Sequence, residues 1–318
     1  MLDQIIGSCE KVRQLKNKII KICDTETTVL IYGETGTGKD LVARTIHEMS
    51  LRKGGPYLPK NCAAVPDSLF ESIFFGTKRG SYTGAEDRTG IFEAGNHGTI
   101  FLDEINSMSM AGQSKLLRVI ENKKITRVGD TIARPIDVRI IAALNRDPQS
   151  CIDGNEIRPD FYYRLAGVQL NIPPLRERKE DIPELIDYFI MKFNNQMGKT
   201  ITSISPEVFD IFMRHRWPGN IRELKNVLET AFNFAKDNEI RMDDLPEYIL
   251  EEVQTHDAAI PYASTHNMSL RDYMNLCEKK FLEDKISKST TLAALANEIG
   301  ISKQTLNYKL HKYGIKKN

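Results

Sequence analysis

The run Gly33-Glu34-Thr35-Gly36-Thr37-Gly38-Lys39-Asp40 constrains the fold more than any other part of the chain. It follows the β-rich stretch Thr28–Tyr32 and opens a helical one, Asp40–Met49, so it fits G-x-x-x-x-G-K in a strand–loop–helix context. Glycines let backbone N–H groups turn inward around phosphate oxygens, and the helix N-terminus adds partial positive charge. Lys39 is placed to reach the β- and γ-phosphates of a nucleotide. The eighth position is Asp40, where the general loop has Ser or Thr, so the usual hydroxyl ligand for magnesium is missing.

A second element fits the first. The apolar run Thr99–Leu102 ends in Asp103-Glu104. In P-loop enzymes a strand-tip Asp positions Mg²⁺, and an adjacent Glu can polarise the attacking water as general base. With Val138–Leu144 as a further β-rich run and Gln113–Glu121 as a helical stretch, residues 20–150 alternate between strand and helix patterns. Such alternation predicts a parallel α/β sheet. After Pro173-Pro174 the texture changes: Asp181–Asn195, Pro206–His215 and Asn220–Lys236 read as helices. Residues 251–268 lack clean periodicity and read as a linker, and helical patterning returns at Ser269.

The chain has 318 residues, 41% hydrophobic and 27% charged, which suits globular units with real cores. Its net charge of +1 hides an asymmetry. Residues 264–318 hold ten Lys/Arg against five Asp/Glu, and the remainder holds 34 against 38. One end is basic and the bulk is slightly acidic. The five cysteines are widely spaced with no CxxC pair, which fits a reducing cytosol with neither a disulfide frame nor a zinc site, and the six histidines show no metal-ligand spacing. No apolar run approaches the roughly 18–20 residues that span a bilayer. The N-terminal Met-Leu-Asp-Gln lacks a basic region followed by an apolar stretch, so neither a signal peptide nor a membrane location is expected.

The stretch Glu71–Asn106, ESIFFGTKRGSYTGAEDRTGIFEAGNHGTIFLDEIN, makes the resemblance specific. It resembles the NtrC-like bacterial enhancer-binding proteins, the AAA+ activators that remodel sigma-54 RNA polymerase, and the similarity runs from about Asp3 to the C-terminus. The resemblance implies that Gly33–Asp40 is the Walker A loop, in which a final acidic residue is ordinary. It implies that Asp103 and Glu104 are the Walker B pair, magnesium ligand and water activator. Asn61 matches the asparagine that switches the glutamate between orientations, and Asn145 matches sensor I near the γ-phosphate. Arg158 and Arg164 match paired arginine fingers, and Arg222, in Trp217-Pro218-Gly219-Asn220-Ile221-Arg222, matches sensor II of the lid. Ile5, Ile6 and Gly7 match the segment lining the adenine pocket. Arg176 and Arg178, in the Leu-Arg-Glu-Arg-Lys-Glu run, read instead as a solvated charged stretch.

Gly80-Ser81-Tyr82-Thr83-Gly84-Ala85 aligns with the family's sigma-contacting loop, normally Gly-Ala-Phe-Thr-Gly-Ala. Tyr82 keeps the aromatic ring and adds a hydroxyl. In Asn96-His97-Gly98-Thr99 the family usually has two glycines before Thr, and His97 reads as a turn residue.

Residues 291–313 fit a helix–turn–helix. Leu292, Leu295, Ala296 and Ile299 share a face, Gly300 supplies the positive-φ position, and Ser302 is a natural N-cap. Ser302, Lys303, Gln304, Thr305, Asn307, Tyr308 and Lys309 are candidates to reach phosphates or base edges in a major groove. Asp272–Ile286 is the expected preceding helix, which in the resembling Fis-like domains also builds a dimer.

The expected organisation is a P-loop AAA+ α/β subdomain (1–172), a small helical lid (173–250), a linker (251–268) and a helix–turn–helix DNA-binding domain (269–318). The expected function is an ATP- and Mg²⁺-dependent, DNA-bound activator that works as a ring, a hexamer by resemblance, on sigma-54 RNA polymerase. Family members usually carry an N-terminal sensory or receiver domain, so the expectation is a shortened chain or a member regulated in trans. The altered loop keeps a rival open: a DNA-binding repressor that uses the AAA+ fold only for nucleotide-dependent assembly. An ATPase of replication or DNA repair would need no sigma-contacting loop and poorly explains the terminal helix–turn–helix.

Overall fold

The computed structural model describes residues 2–81 and 85–250, together with 274–275, 278–279, 281–282, 285–286 and 292–315 (side chains of 293, 294 and 297 excepted). The chain forms two compact units, Met1–Pro246 and Glu247–Asn318.

In chain order the first unit begins with α1 (Glu10–Ile22), β1 (Val29–Tyr32), α2 (Lys39–Glu48), β2 (Tyr57–Asn61), α3 (Asp67–Phe75), β3 (Gly76–Thr77), β4 (Arg88–Thr89) and α4 (Ile91–Ala94). It continues through β5 (Thr99–Asp103), α5 (Met110–Asn122), β6 (Lys124–Thr126), β7 (Ala133–Pro135), β8 (Arg139–Leu144), α6 (Pro148–Asp153), α7 (Pro159–Leu165) and β9 (Val168–Asn171). The helical part follows: α8 (Ile182–Met197), β10 (Ser203–Ile204), α9 (Pro206–Arg214), α10 (Asn220–Phe234) and β11 (Glu239–Ile240).

Five strands form one sheet in the order β2-β5-β8-β1-β9, with every pairing parallel. Strand side chains alternate between faces, and the two cores follow from that. Leu30, Ile100, Leu102, Ile140, Ala142 and Leu144 pack with Phe70, Phe74, Leu116 and Phe161 on one face. Val29, Ile31, Phe101, Ile141, Ala143 and Leu170 pack with Val12, Leu15, Ile19, Val42 and Ile46 of α1 and α2 on the other. The central strands are buried on both faces and therefore read as continuous apolar runs.

Arg139 of β8 is buried, and its guanidinium donates to Cys23 O at 2.5 Å and Ile22 O at 2.7 Å. A cation thereby satisfies the carbonyls at the C-terminus of α1. The helical part has its own aromatic core. Phe193 meets Phe232 edge-on at 5.2 Å, and Phe212 meets Trp217 edge-on at 5.3 Å. The Trp217 indole N–H donates to Phe212 O at 2.9 Å, so its burial leaves no orphan donor.

In the second unit, α11 (Leu292–Glu298) and α12 (Lys303–Tyr313) are joined through Gly300 at φ +73°. Leu295, Ala296, Leu306 and Leu310 bury one face together with Leu282. Ser302 caps α12 by accepting from Thr305 N–H at 3.1 Å, as its sequence position predicts. The expected Asp272–Ile286 helix lies partly outside the described residues, and the described residues within it are helical.

Candidate active site

β1, β5 and β8 end side by side, and the chemistry-bearing residues gather at that edge. The Gly33 N–H donates to Leu144 O at 3.3 Å, tying the loop after β1 to the tip of β8. Gly36 and Gly38 adopt φ +80° and +100°. A Cβ on Gly36 would stand 2.1 Å from Gly219 O, so both backbone angle and space demand glycine there. The Thr37 hydroxyl donates to Glu34 O at 2.7 Å and closes the turn. No side chain caps α2, whose N-cap is Gly38, so its first N–H groups remain available to an anion.

Lys39 is buried and curls back over this loop, its ammonium donating to Gly33 O at 2.8 Å and Glu34 O at 3.1 Å. Burial pushes its pKa below the ordinary lysine value, against the pull of the Asp103 and Glu104 carboxylates. Burial likewise raises Asp103, and Lys39 only partly offsets it. Asp103 Oδ1 accepts from the Glu104 N–H at 3.0 Å. Glu104 itself sits in the left-handed region at φ 54°, ψ 48°, a strained backbone for a non-glycine residue.

A cleft of about 600 Å³ unites these groups. Ile5 and Ile6, Thr35 to Asp40, Asp103, Glu104 and Arg222 all line it. Gly7 lies behind Ile6 at φ +135°, where a Cβ would come within 2.6 Å of Asp181 Oδ2. Asp181 Oδ1 accepts from both Ser8 N–H and Cys9 N–H at 2.8 Å, which fixes the path of that N-terminal segment.

Of the two arginines read from sequence as solvated, Arg178 is corrected here, whereas Arg176 stays exposed. Arg178 is only 3% exposed, lines the cleft and donates to Thr37 O at 3.4 Å. Arg176 grips Glu34 through two bonds of 2.6 Å. The helical part folds back over the phosphate loop, so a charge run that looks solvent-facing in one dimension buries Arg178 and brings the exposed Arg176 beside Glu34. Asn220, not singled out by sequence, joins them: Nδ2 donates to Thr35 O at 3.0 Å while Oδ1 accepts from Leu175 N–H at 2.7 Å. Its one local signal is the positive φ of 54°, which a sequence does not display.

The remaining residues sit around this centre. Asn61 ends β2 in register with Asp103, and its Oδ1 accepts from Ala63 N–H at 2.8 Å, a bond within its own turn rather than to Glu104. Asn145 follows β8, and its Oδ1 accepts from Asn106 at 3.3 Å. Arg158 is the N-cap residue of α7, Arg164 lies in its last turn, and neither lines the cleft. Arg158 pairs with Asp160 at 2.7 Å, whereas Arg164 borders a separate cavity of about 340 Å³ with Glu26, Phe92 and Tyr163.

Tyr82, Thr83 and Gly84 lie outside the described residues. Their flanks are ordered by backbone bonds: the Gly80 N–H donates to Ala85 O at 3.4 Å, the Ser81 N–H donates to Lys78 O at 3.2 Å, and Ala85 is buried. Below them the Lys78 N–H donates to Val128 O and the Val128 N–H to Gly76 O, joining the loop base to the segment between β6 and β7. His97 has φ 62° and occupies a turn, as expected.

In the second unit Lys303, Gln304, Thr305, Asn307 and Tyr308 are exposed. Lys309 differs from these exposed neighbours on α12. It is half-buried, and its ammonium pairs with Glu278, one helical element holding another. Among the described residues no group of three or more His, Cys, Asp and Glu side chains is placed to hold a metal ion by itself, and no helix is long and apolar enough to cross a membrane.

Comparison with known proteins agrees with this geometry. The Sigma-54 interaction domain family matches residues 5–171, and the AAA+ ATPase lid domain family matches 176–260. The transcriptional activator RocR of Bacillus subtilis is 44% identical over 99% of this chain and 69% of its own length. The regulatory protein AtoC of Escherichia coli is 40% identical over 93% of this chain and 64% of its own. NtrX from Brucella abortus, solved in complex with ATP, superposes with a TM-score of 0.71 at 30% identity, covering 97% of this chain and 69% of that one. A Walker-type cleft roofed by a helical lid, on a core matched over more than half the chain, leaves one assignment: the chain belongs to the NtrC-like sigma-54-dependent transcriptional activators of the AAA+ class.

Proposed function

We propose that this chain hydrolyses Mg²⁺-ATP between the subunits of a ring, a hexamer, and uses the cycle to drive its Gly80–Ala85 loop against sigma-54 RNA polymerase. The C-terminal helices hold enhancer DNA and pair as a dimer, and the protein works in the cytoplasm with that DNA. One observation carries the reading: Lys39, Asp103, Glu104 and Arg222, from core and lid alike, line a single cleft.

The loop N–H groups and Lys39 bind the β- and γ-phosphates, with Lys39 exchanging Gly33 O and Glu34 O for phosphate oxygens. Asp103 fits a hard divalent cation, because burial leaves its carboxylate charge under-compensated in the cleft. Asp40 borders the same cleft in place of a hydroxyl residue. When bound, Mg²⁺ neutralises charge on the phosphate oxygens. Glu104 accepts a proton from the attacking water. Asn61 lies one strand away and sets the Glu104 carboxylate once it leaves its own turn. Asn145 meets the γ-phosphate, and Arg222 brings the lid to the nucleotide. Because Arg158 and Arg164 lie off the cleft of their own chain, they serve the neighbour's nucleotide, a contribution worth roughly 10³–10⁵ in rate.

The test is promoter opening with sigma-54 RNA polymerase. Tyr82→Ala should keep ATP turnover and lose open complexes. Unchanged opening would remove the loop from the mechanism, and DNA binding with no ATP-dependent opening by the unmodified chain would return the repressor reading. Mixed rings test the fingers: Arg158→Ala should be inactive alone and partly rescued by a Lys39→Ala partner.

A further inference from the structure

A line of polar side chains starts at Asn145, which is not among the residues that line the cleft. Asn106 Nδ2 donates to Asn145 Oδ1 at 3.3 Å and to Glu156 Oε2 at 2.9 Å, using both of its hydrogens. The other Glu156 oxygen accepts from Arg146 at 2.9 Å. The Glu156 main chain is pinned as well: its carbonyl accepts at 2.8 Å from Gln113 Nε2, and Gln113 is fully buried. Gln113 Oε1 accepts in turn from Arg158 N–H at 2.9 Å. The carboxylate of Glu156 is therefore held at a fixed place beside Asn106.

A carboxylate only accepts hydrogen bonds, whereas a carboxamide has two different ends. Glu156 obliges Asn106 to turn its NH₂ toward it. That same NH₂ meets Asn145, so Asn145 must answer with its oxygen. The Asn145 NH₂ is then the end left over, and it is the end that a phosphate oxygen, also an acceptor, requires. The arrangement carries a visible cost: Asn106 Oδ1 is buried without a partner. Turning Asn106 over would relieve that atom but set oxygen against the Glu156 carboxylate.

We propose that Glu156, through Asn106, is a positioning residue that fixes the amide polarity of Asn145 so that it donates to the γ-phosphate. This rests on the reading of Asn145 as the group that meets the γ-phosphate. It gives the bonds among Asn106, Glu156 and Gln113 a common role.

The test reverses the polarity without removing the contact. Glu156→Lys presents donors only, turns Asn106 over and leaves the Asn145 oxygen toward the nucleotide. Its preference for a non-hydrolysable ATP analogue over ADP should fall roughly tenfold, the size of one hydrogen bond to a charged group. Glu156→Gln, which can present either end, should lose less. Asn106→Asp combined with Glu156→Lys rebuilds a bonded pair with inverted polarity. It should restore the unfolding midpoint and not the preference for the ATP analogue. If the double variant recovers both, or if Glu156→Lys binds both nucleotides as the unmodified chain does, the positioning role is wrong. Asn145→Ala separates the two layers: an unchanged preference there overturns the γ-phosphate reading, whereas a lost preference there with an unchanged one in Glu156→Lys overturns the positioning role alone.

Discussion

Arg176 and Glu34 face each other as a bidentate pair, both bonds 2.6 Å long, and so tie the helical lid to the phosphate loop. The Arg176 guanidinium holds the Glu34 carboxyl below the usual carboxylate range. Both side chains are about two-fifths exposed, so solvent screens the pair and its contribution to overall stability is small. Its larger effect is on loop geometry. Arg176→Ala should raise the KM for ATP about fivefold and lower the melting temperature by less than about 4 °C. A depressed carboxylate stabilises above its ordinary pKa and loses that contribution as pH falls through the depressed value. The difference in melting temperature between variant and unmodified chain should therefore vanish in acid. A variant with unchanged KM would leave the clamp without a role.

Glu104→Gln should bind ATP and not turn it over. The amide keeps the size and shape of Glu104 but cannot take the proton of water, so kcat should drop by roughly 10²–10⁴. Equilibrium binding of ATP, measured alongside phosphate release, separates this from a folding defect. Ordinary hydrolysis by the variant would exclude Glu104 as the base.

Much of the site was legible in sequence because its signals are local. The phosphate loop needs glycines at fixed spacing, and β1, β5 and β8 are buried on both faces, so each appears as an unbroken apolar run. The edge strands were not legible. β2 contains Pro59 and Lys60, tolerated because its outer side makes no ladder, and β9 is four residues with exposed Gln169 and Asn171. The lid contacts were missed for another reason. Arg176 and Glu34 are 142 residues apart, and a charge run reveals its partners only after the chain has folded back. The same holds for Lys309, whose partner Glu278 lies on an earlier helical element.

Asp103 should oppose stability in the nucleotide-free chain. Its raised pKa means that the folded state binds the proton more tightly than the unfolded state does. Stability is then greatest in acid and is lost as pH rises through the raised value, so at neutral pH the ionised group is a net cost. Asp103→Asn should raise the melting temperature by about 1–3 °C at pH 7. The gain should disappear below about pH 4, where both states are protonated. With Mg²⁺ and ATP present the order should reverse, because only the unmodified chain gains the full binding contribution. A less stable variant at pH 7 without nucleotide would show that Lys39 depends on Asp103 more than burial penalises it.

Lys303 and Lys309 should differ in DNA binding although both lie on α12. Lys303 is exposed in the first turn, beside the Ser302 cap and free to approach a phosphate. Lys309, half-buried, already spends its charge on Glu278. Each phosphate contact releases a condensed counterion, so the logarithm of affinity falls linearly with the logarithm of salt concentration, by about 0.9 per contact. Lys303→Ala should weaken binding to all sequences and reduce that slope by about one. Lys309→Ala should leave the slope unchanged, because no counterion is exchanged at a lysine whose partner is a carboxylate of the same chain. Titrations of enhancer DNA at several salt concentrations read both values. Equal slope changes in the two variants would mean that Lys309 leaves Glu278 for phosphate when DNA arrives.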